Sequence, residues 1–418
     1  MTTAVIELHD VALRCGTDSQ LIEVPGHALV TPQGIVTGAA ARARAWREPQ
    51  HSFDQYWHQL GTAALPVASR HARHFADLAH AQLLALHQAA GAPPRVIFAV
   101  PGSFGRDQLA VLLGIAQAAP FGVAGLIDAA LAAAHTEVAD AALHLDLLRH
   151  CAVLTRLRRS GAEVLRERVA VLPELGLNRL HELWARHLAE RFIAAHRYDP
   201  LHTGSGEQAL REALPGWLAT LARQRELNAV LPGPRGPLPL LLGAAELIAA
   251  AAPVYDRLAQ AAAEAGDGDR LLAPGAVELP GLRDRLQGRA LPAAASIAGA
   301  LAQREIIAAR PANVLITRLP AAAAPAAAPA RPPATHLLWR HRAHPIGAGL
   351  ALRRAAGTVQ LDALASASAA DPQLTFAGDR LMLRGATGII QVEGDAADLR
   401  AGDRLYLGGE VLELIEVP

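Results

Sequence analysis

The sequence predicts an α/β protein followed by a small all-β sandwich, and three observations carry that expectation. An apolar run, Arg95 to Val100, leads through Pro101-Gly102-Ser103 into a helical stretch from about Arg106 to Ala118. That is the strand–turn–helix order of a buried, largely parallel sheet. Residues 317–334 carry Pro320, Pro325, Pro329, Pro332 and Pro333 between alanines, a composition that favours an extended linker over a packed element. Beyond it, residues 335–418 alternate short β-rich runs with Gly/Asp turns. The expected division is therefore 1–318, a linker at 319–334, and 335–418.

In chain order, 4–15 reads as an extended strand and 20–38 as a hairpin turning at Thr31-Pro32-Gln33-Gly34. Helices are predicted over 39–47, 53–60 and 71–90, the last with Phe75, Leu78, Leu83 and Leu86 among its apolar positions. After Val123 to Ile127 and a helix at 129–134, residues 142–157 continue the rhythm. A helix from Asn178 to His196 sets Leu180, Trp184, Leu188 and Phe192 on one face. A helix over 207–226 should break near Pro215. Pro232 to Pro237 is a turn between short strands, and helices follow at 243–265, 280–287 and 294–307. In the C-terminal part, strands are expected at 358–361, 374–376, 380–383, 389–392, 404–407 and 411–417.

Composition bounds the function. Of 418 residues, 51% are apolar and only 4% aromatic, so a large helix-rich core is affordable while stacking surfaces for single-stranded nucleic acid are not evident. Zero formal net charge and no basic run argue against nucleic-acid or anionic-membrane binding. The apolar stretch 237–254 is short and interrupted, so no membrane span is expected. Met1 to Glu7 lack the features of a secretory signal, and two cysteines suit a reducing compartment, so the expected location is cytoplasmic. Buried free thiols are the default for Cys15 and Cys151, with a redox link between them the alternative. The 39 basic residues are all arginine. That excludes a phosphate-loop lysine and a Schiff-base lysine together. The histidines at 71, 74, 80 and 87 share a helical segment without a carboxylate or cysteine at ligand spacing, and read as a solvated or partly buried face.

Three collinear stretches carry a resemblance. The first is Val24-Pro25-Gly26-His27-Ala28-Leu29-Val30 with Gly34, Gly38 and the run to Gly61. The second is Val96-Ile97-Phe98-Ala99-Val100-Pro101 followed by Gly125-Leu126-Ile127-Asp128-Ala129-Ala130. The third is Leu271-Leu272-Ala273-Pro274-Gly275 with Pro280 and Gly299-Ala300-Leu301-Ala302-Gln303. Their order resembles the nucleotide-binding domain of DnaK-type heat-shock chaperones, a branch of the actin and sugar-kinase superfamily, over residues 1–318. The resemblance implies a bilobal actin/DnaK-like ATPase fold with two phosphate-binding turns facing each other across a cleft. Glycines let such turns bring bare backbone N–H groups to a polyphosphate.

Here those glycines are gone. The first turn reads Glu7-Leu8-His9-Asp10-Val11 where the family has Asp-Leu-Gly-Thr-Thr; the second reads Asp146-Leu147-Leu148-Arg149-His150-Cys151 where it has Asp-Leu-Gly-Gly-Gly-Thr. The degenerate cleft implied by the resemblance comprises Glu7, His9, Asp10, Asp128, Asp146, Leu148, Arg149, His150 and Gly275. The family's catalytic lysine should fall near Trp57-His58, and its adenine-stacking arginine near Val254. Phosphoryl transfer depends on positioned charge, so the expectation is a filled, catalytically silent cleft with no cofactor and no metal. Weak ATP or ADP binding through Arg149, His150 and His9 is the residual expectation. The function so implied is a non-catalytic scaffold acting on a protein partner, with an ATP-dependent chaperone as the alternative.

The run Leu399-Arg400-Ala401-Gly402-Asp403-Arg404-Leu405-Tyr406-Leu407-Gly408 resembles the last strands of forkhead-associated domains, which read phosphothreonine. Ala348 stands where that family has its phosphate-binding arginine, Asp371 where it has histidine, and Glu393-Gly394 where it has Asn-Gly; Ser368 fits. Phosphate recognition needs arginines and donors, so a plain docking module is expected. A phosphopeptide adaptor using Arg340, Arg342 and Arg353 is the other reading.

Overall fold

A computed structural model of the chain describes residues 3–67, 69–321, 333–355, 358–366, 371–377, 380–385, 390–393 and 399–417. The chain is mixed α/β and divides into two compact units, Met1–Ala322 and Ala323–Pro418. Most of the expected linker (322–332), together with Ser368 and Gly394, lies outside the described residues.

The first unit opens with β1 (Thr3–Glu7), β2 (Ala12–Gly16) and β3 (Leu21–Pro25), an antiparallel meander. The single strand expected over 4–15 is thus two. The chain reverses at residues 8–11, where His9 Nδ1 accepts the Val11 N–H at 3.3 Å. Next come β4 (Ala28–Thr31) and β5 (Gly34–Thr37), which turn at Gly34, whose φ of +151° suits glycine. α1 (Ala39–Arg42) is shorter than the predicted 39–47, and β6 (Ser52–Phe53) pairs with β4. No helix forms over 53–60. Burial decides this: the Tyr56 hydroxyl and Trp57 Nε1 both converge on Gln82 Oε1 beneath α2 (Phe75–Ala89), and neither ring is more than 1% exposed.

Then follow β7 (Arg95–Val100), α3 (Arg106–Gln117), β8 (Gly122–Asp128) and α4 (Ala129–Ala134). Residues 142–157 are not continuous: β9 (Ala141–Leu147) and β10 (Cys151–Ser160) flank a turn at 148–150, and β11 (Glu163–Pro173) completes a second meander. α5 (Leu177–His196) buries Leu180, Trp184, Leu188 and Phe192 completely, and Trp184 Nε1 donates to the Leu247 carbonyl at 2.8 Å. α6 (Gly204–Leu221) runs through Pro215 unbroken, a correction to the expected break. The burial of Leu210, Leu214, Leu218 and Leu221 on one face outweighs the single backbone bond that proline removes.

The hairpin β12 (Glu226–Gly233) and β13 (Gly236–Gly243) leads into α7 (Ala244–Glu264). β14 (Asp269–Leu272), α8 (Pro274–Val277), α9 (Leu282–Leu286), β15 (Arg289–Ala290), α10 (Ala295–Ala302), α11 (Arg304–Ala308), β16 (Leu315–Ile316) and β17 (Arg318–Pro320) finish the unit.

Two six-stranded sheets result, ordered β16-β8-β7-β1-β2-β3 and β15-β14-β9-β10-β11-β17. Each sets an antiparallel meander beside parallel strands in the same order, so β3-β2-β1-β7-β8 corresponds to β11-β10-β9-β14-β15. The correspondence puts the β1–β2 turn, carrying His9 and Asp10, and the β9–β10 turn, carrying Arg149 and His150, at equivalent places.

The second unit contains β18 (His336–Trp339), β19 (Arg342–Pro345), β20 (Gly349–Ala355), β21 (Thr358–Ala363), β22 (Gln373–Ala377), β23 (Arg380–Arg384), β24 (Ile390–Glu393), β25 (Arg404–Leu407) and β26 (Glu410–Ile415). They form two antiparallel sheets, β19-β18-β26-β25-β24 and β21-β20-β22-β23, sharing one core that includes Leu337, Leu352, Leu374, Leu405 and Leu414. The strands β18 to β20 were not foreseen, because arginines, histidines and Pro345 mask their alternation.

Candidate functional site

The two equivalent turns grip one another. His9 Nε2 lies 3.1 Å from Asp146 Oδ1 and donates to that carboxylate; in the neutral ring Nδ1 is free to accept from Val11. Burial opposes a charge on His9, but the field of Asp146 and their hydrogen bond outweigh it and raise its pKa. Asp146 responds in kind: burial pushes its carboxyl up, yet His9 prevails and holds it down at about 2.

From the other turn, the Arg149 backbone N–H donates to Asp10 Oδ1 at 2.6 Å. The Arg149 guanidinium donates to the carbonyls of Asp10 and Val11 at 3.2 and 3.1 Å. Asp10 is 3% exposed and its Oδ2 has no partner among the described residues. A backbone donor that a phosphate loop would leave free is therefore consumed by a carboxylate.

Glycines still serve these turns, but from the segments laid over them. A Cβ at Gly26 would stand 1.9 Å from the Asp10 carbonyl oxygen. One at Gly176 would stand 2.4 Å from Cys151 N and 2.5 Å from the Arg149 carbonyl. Close backbone approach, which glycine permits, here lets neighbouring segments pack against both turns.

Beside this contact a cavity of about 400 Å³ remains, lined among others by Glu7, His9, Asp146, Arg149 and Gly275. The pairing of His9 with Asp146 thus borders an open space and does not fill it. Glu7 faces it from the end of β1, held by Arg14 Nη1 at 3.0 Å and by the Ser296 hydroxyl. Gly275, in α8, has open space where a Cβ would project, so no neighbour requires glycine there.

The remaining predicted residues do not line the cavity. Asp128 is fully buried as the cap of α4, its Oδ1 accepting from Leu131 N at 2.9 Å and its Oδ2 pairing with Arg166 at 2.8 Å. Leu148 packs with Cys151, Val153 and Val169. His150 pairs with Asp54 at 3.3 Å and lies against the His58 ring, with centroids 5.3 Å apart. Burial opposes its charge, but Asp54 raises its pKa. Cys151 Sγ is 4.0 Å from His58 Nδ1, but burial drives its thiol pKa up to about 12, so no thiolate nucleophile is available there. Cys15 and Cys151 are both free and buried. Trp57 and Val254 are core residues away from the cavity.

The cavity also gathers residues that the sequence reading missed: His27, Arg42, Trp46, His144, His181 and Arg211. Burial and the nearby Arg149 guanidinium depress His27 and His181 to about 3, keeping both rings neutral. Arg211 is committed to Glu182 and Glu207 at 2.7 and 3.1 Å, and stands 5.9 Å over the Trp46 ring. Gly26 was the one legible signal for this wall, since it fixes the reversal that delivers His27.

In the second unit, Arg340 pairs with Glu410 and lies 4.8 Å over the Trp339 ring, while Arg353 pairs with Asp362 at 3.2 Å. Arg342, in β19, has no such pairing among the described residues. Tyr406 donates to Glu393 at 2.7 Å. No described helix is long and apolar enough to cross a membrane, and no group of potential metal ligands gathers among the described residues. Neither a protein-family model nor any curated protein matches the chain.

Proposed function

We propose that residues 1–318 are a DnaK-like, actin-type scaffold whose nucleotide cleft has become a structural joint. Followed by a β-sandwich in place of a substrate-binding domain, the scaffold engages a protein partner without turning over nucleotide. Two sheets that share a five-strand order and border one cavity support the two-lobed architecture implied by the resemblance. The observation that carries the reading is the bond from Arg149 N to Asp10 Oδ1, reinforced by His9 on Asp146. Each phosphate turn spends its donor on the other. With no lysine in the chain, neither cradle retains the charge that phosphoryl transfer uses.

The arginines considered for a phosphopeptide favour a plain docking role for the second unit. Arg340 and Arg353 already hold carboxylates that a phosphate would have to displace. Calorimetry with ATP and Mg²⁺, alongside a phosphate-release assay, tests the whole: micromolar binding with turnover eliminates the scaffold reading in favour of an ATP-dependent chaperone. Partner capture from the native organism, followed by mapping on the 1–318 and 335–418 surfaces, tests the interaction role.

A further inference from the structure

We propose that the cavity between the two sheets binds a small molecule bearing a carboxylate or phosphate, held by Arg42 on the wall formed by α1 and Trp46. Four arginines line the cavity, and three are committed. Arg14 holds Glu7 and Glu23, Arg149 holds the Asp10 and Val11 carbonyls, and Arg211 holds Glu182 and Glu207. Arg42, half-buried at the end of α1, makes no ion pair or side-chain hydrogen bond among the described residues. The carboxylate that acts on it, Glu212, is instead occupied by Gln208 Nε2 at 2.7 Å.

A second, independent observation points to the same ligand. His27 is 2% exposed, lines the cavity, and leaves Nδ1 without a partner. An unmatched buried polar atom is costly unless something supplies the bond. His144, 4% exposed on β9, also lines the cavity and has an Nδ1 without a partner among the described residues. Beside the arginines, His27 and His181 stay neutral at about 3, so they can offer N–H donors without adding charge. A free guanidinium fork backed by neutral imidazoles matches the planar, two-oxygen face of a carboxylate or phosphate. Of the acidic lining residues, Glu7 and Glu23 share the single Arg14 guanidinium and Asp146 pairs with His9, while Glu278 has no ion-pair partner among the described residues. A volume of about 400 Å³ fits a metabolite-sized ligand rather than a peptide.

This site lies in the cavity that the scaffold reading takes as its silent cleft, yet the two can fail separately. ATP turnover would overturn that reading without touching Arg42, whereas the following experiment bears on Arg42 alone. Inorganic phosphate and citrate are titrated separately into the full chain, in buffer free of other anions, by calorimetry. In parallel, phenylglyoxal labelling of Arg42 is read by mass spectrometry with and without each anion. The expected result is saturable binding of at least one anion, which names the headgroup, together with shielding of Arg42. Arg42→Ala should weaken binding about tenfold or more, while Arg283→Ala, at an exposed arginine of α9, leaves it unchanged. Absence of binding by either anion at about 10 mM, or binding that survives Arg42→Ala, overturns the proposal. Should the variant misfold, lack of shielding in the unaltered chain overturns it equally.

Discussion

Replacing Arg149 by alanine is the sharpest test of the joint between the two turns. The side chain is 7% exposed and gives charged hydrogen bonds to two carbonyls, Asp10 at 3.2 Å and Val11 at 3.1 Å. Such bonds contribute about 1.5–3 kcal/mol each. The Val11 carbonyl keeps the Gly26 N–H at 3.0 Å, so its loss falls at the low end. Against this, His27 and His181 are relieved of a cation that helps depress them to about 3. The backbone bond from residue 149 to Asp10 survives, since alanine keeps the N–H. The net expectation is a loss of about 2–4 kcal/mol. Urea unfolding followed by tryptophan fluorescence measures it, with Arg149→Met separating lost charge from lost volume. The two histidines should also titrate at higher pH in the alanine variant, visible by NMR. A change smaller than about 0.5 kcal/mol, the range of an ordinary surface substitution, refutes the view that this arginine fastens the turns.

The His9–Asp146 pair makes stability depend on pH from both sides. His9 is raised in the folded state, so its contribution is complete below its ordinary value of 6.5 and fades as pH rises through the folded value. Asp146 is lowered to about 2, so its contribution is complete above 3.8 and fades as pH falls towards 2. Urea midpoints measured from pH 3 to 9 should peak between roughly pH 4 and 6.5 in this component, and His9→Gln should flatten the alkaline limb; an unchanged limb contradicts the pairing. Gly26→Ala places a methyl 1.9 Å from a backbone carbonyl oxygen and should cost about 2–4 kcal/mol, whereas Gly275→Ala, meeting nothing, should be neutral or gain up to about 1 kcal/mol by helix propensity. Equal thermal shifts for the two variants would refute the steric account. Trp184→Ala empties a fully buried site and frees the Leu247 carbonyl, with an expected loss of about 3–5 kcal/mol by the same urea assay; a loss under about 1 kcal/mol contradicts the packing described for α5 and α7.

Much of the helical framework was legible because local pattern and burial agree. The i, i+4 series in α5 and the apolar run of β7 announce both their type and their buried face. Where the pattern misled, long-range contacts had decided the outcome. Residues 53–60 have helical spacing, yet Tyr56 and Trp57 are drawn onto Gln82 of a later helix. Pro215 signals a break that four buried leucines override. For the site, the two turns were singled out by the resemblance, but their mutual pairing joins residues 137 and 139 positions apart and has no local signature. Asp128, chosen by collinearity, caps α4 and does not line the cavity. Arg42, His27 and His181 were missed because nothing near each one reveals that the fold assembles them around a common space.

The paired turns have a consequence for the scaffold role proposed above. Nucleotide-driven machines offer partners alternating shapes, because a ligand wedged between their halves trades one arrangement for another. On the scaffold reading proposed above, turns buckled by their own side chains would present a partner with a single preset surface, to be docked on as one solid object docks on another. Any effector that is to alter that surface must bind the unbuckled arrangement more tightly by at least the strength of the clasp.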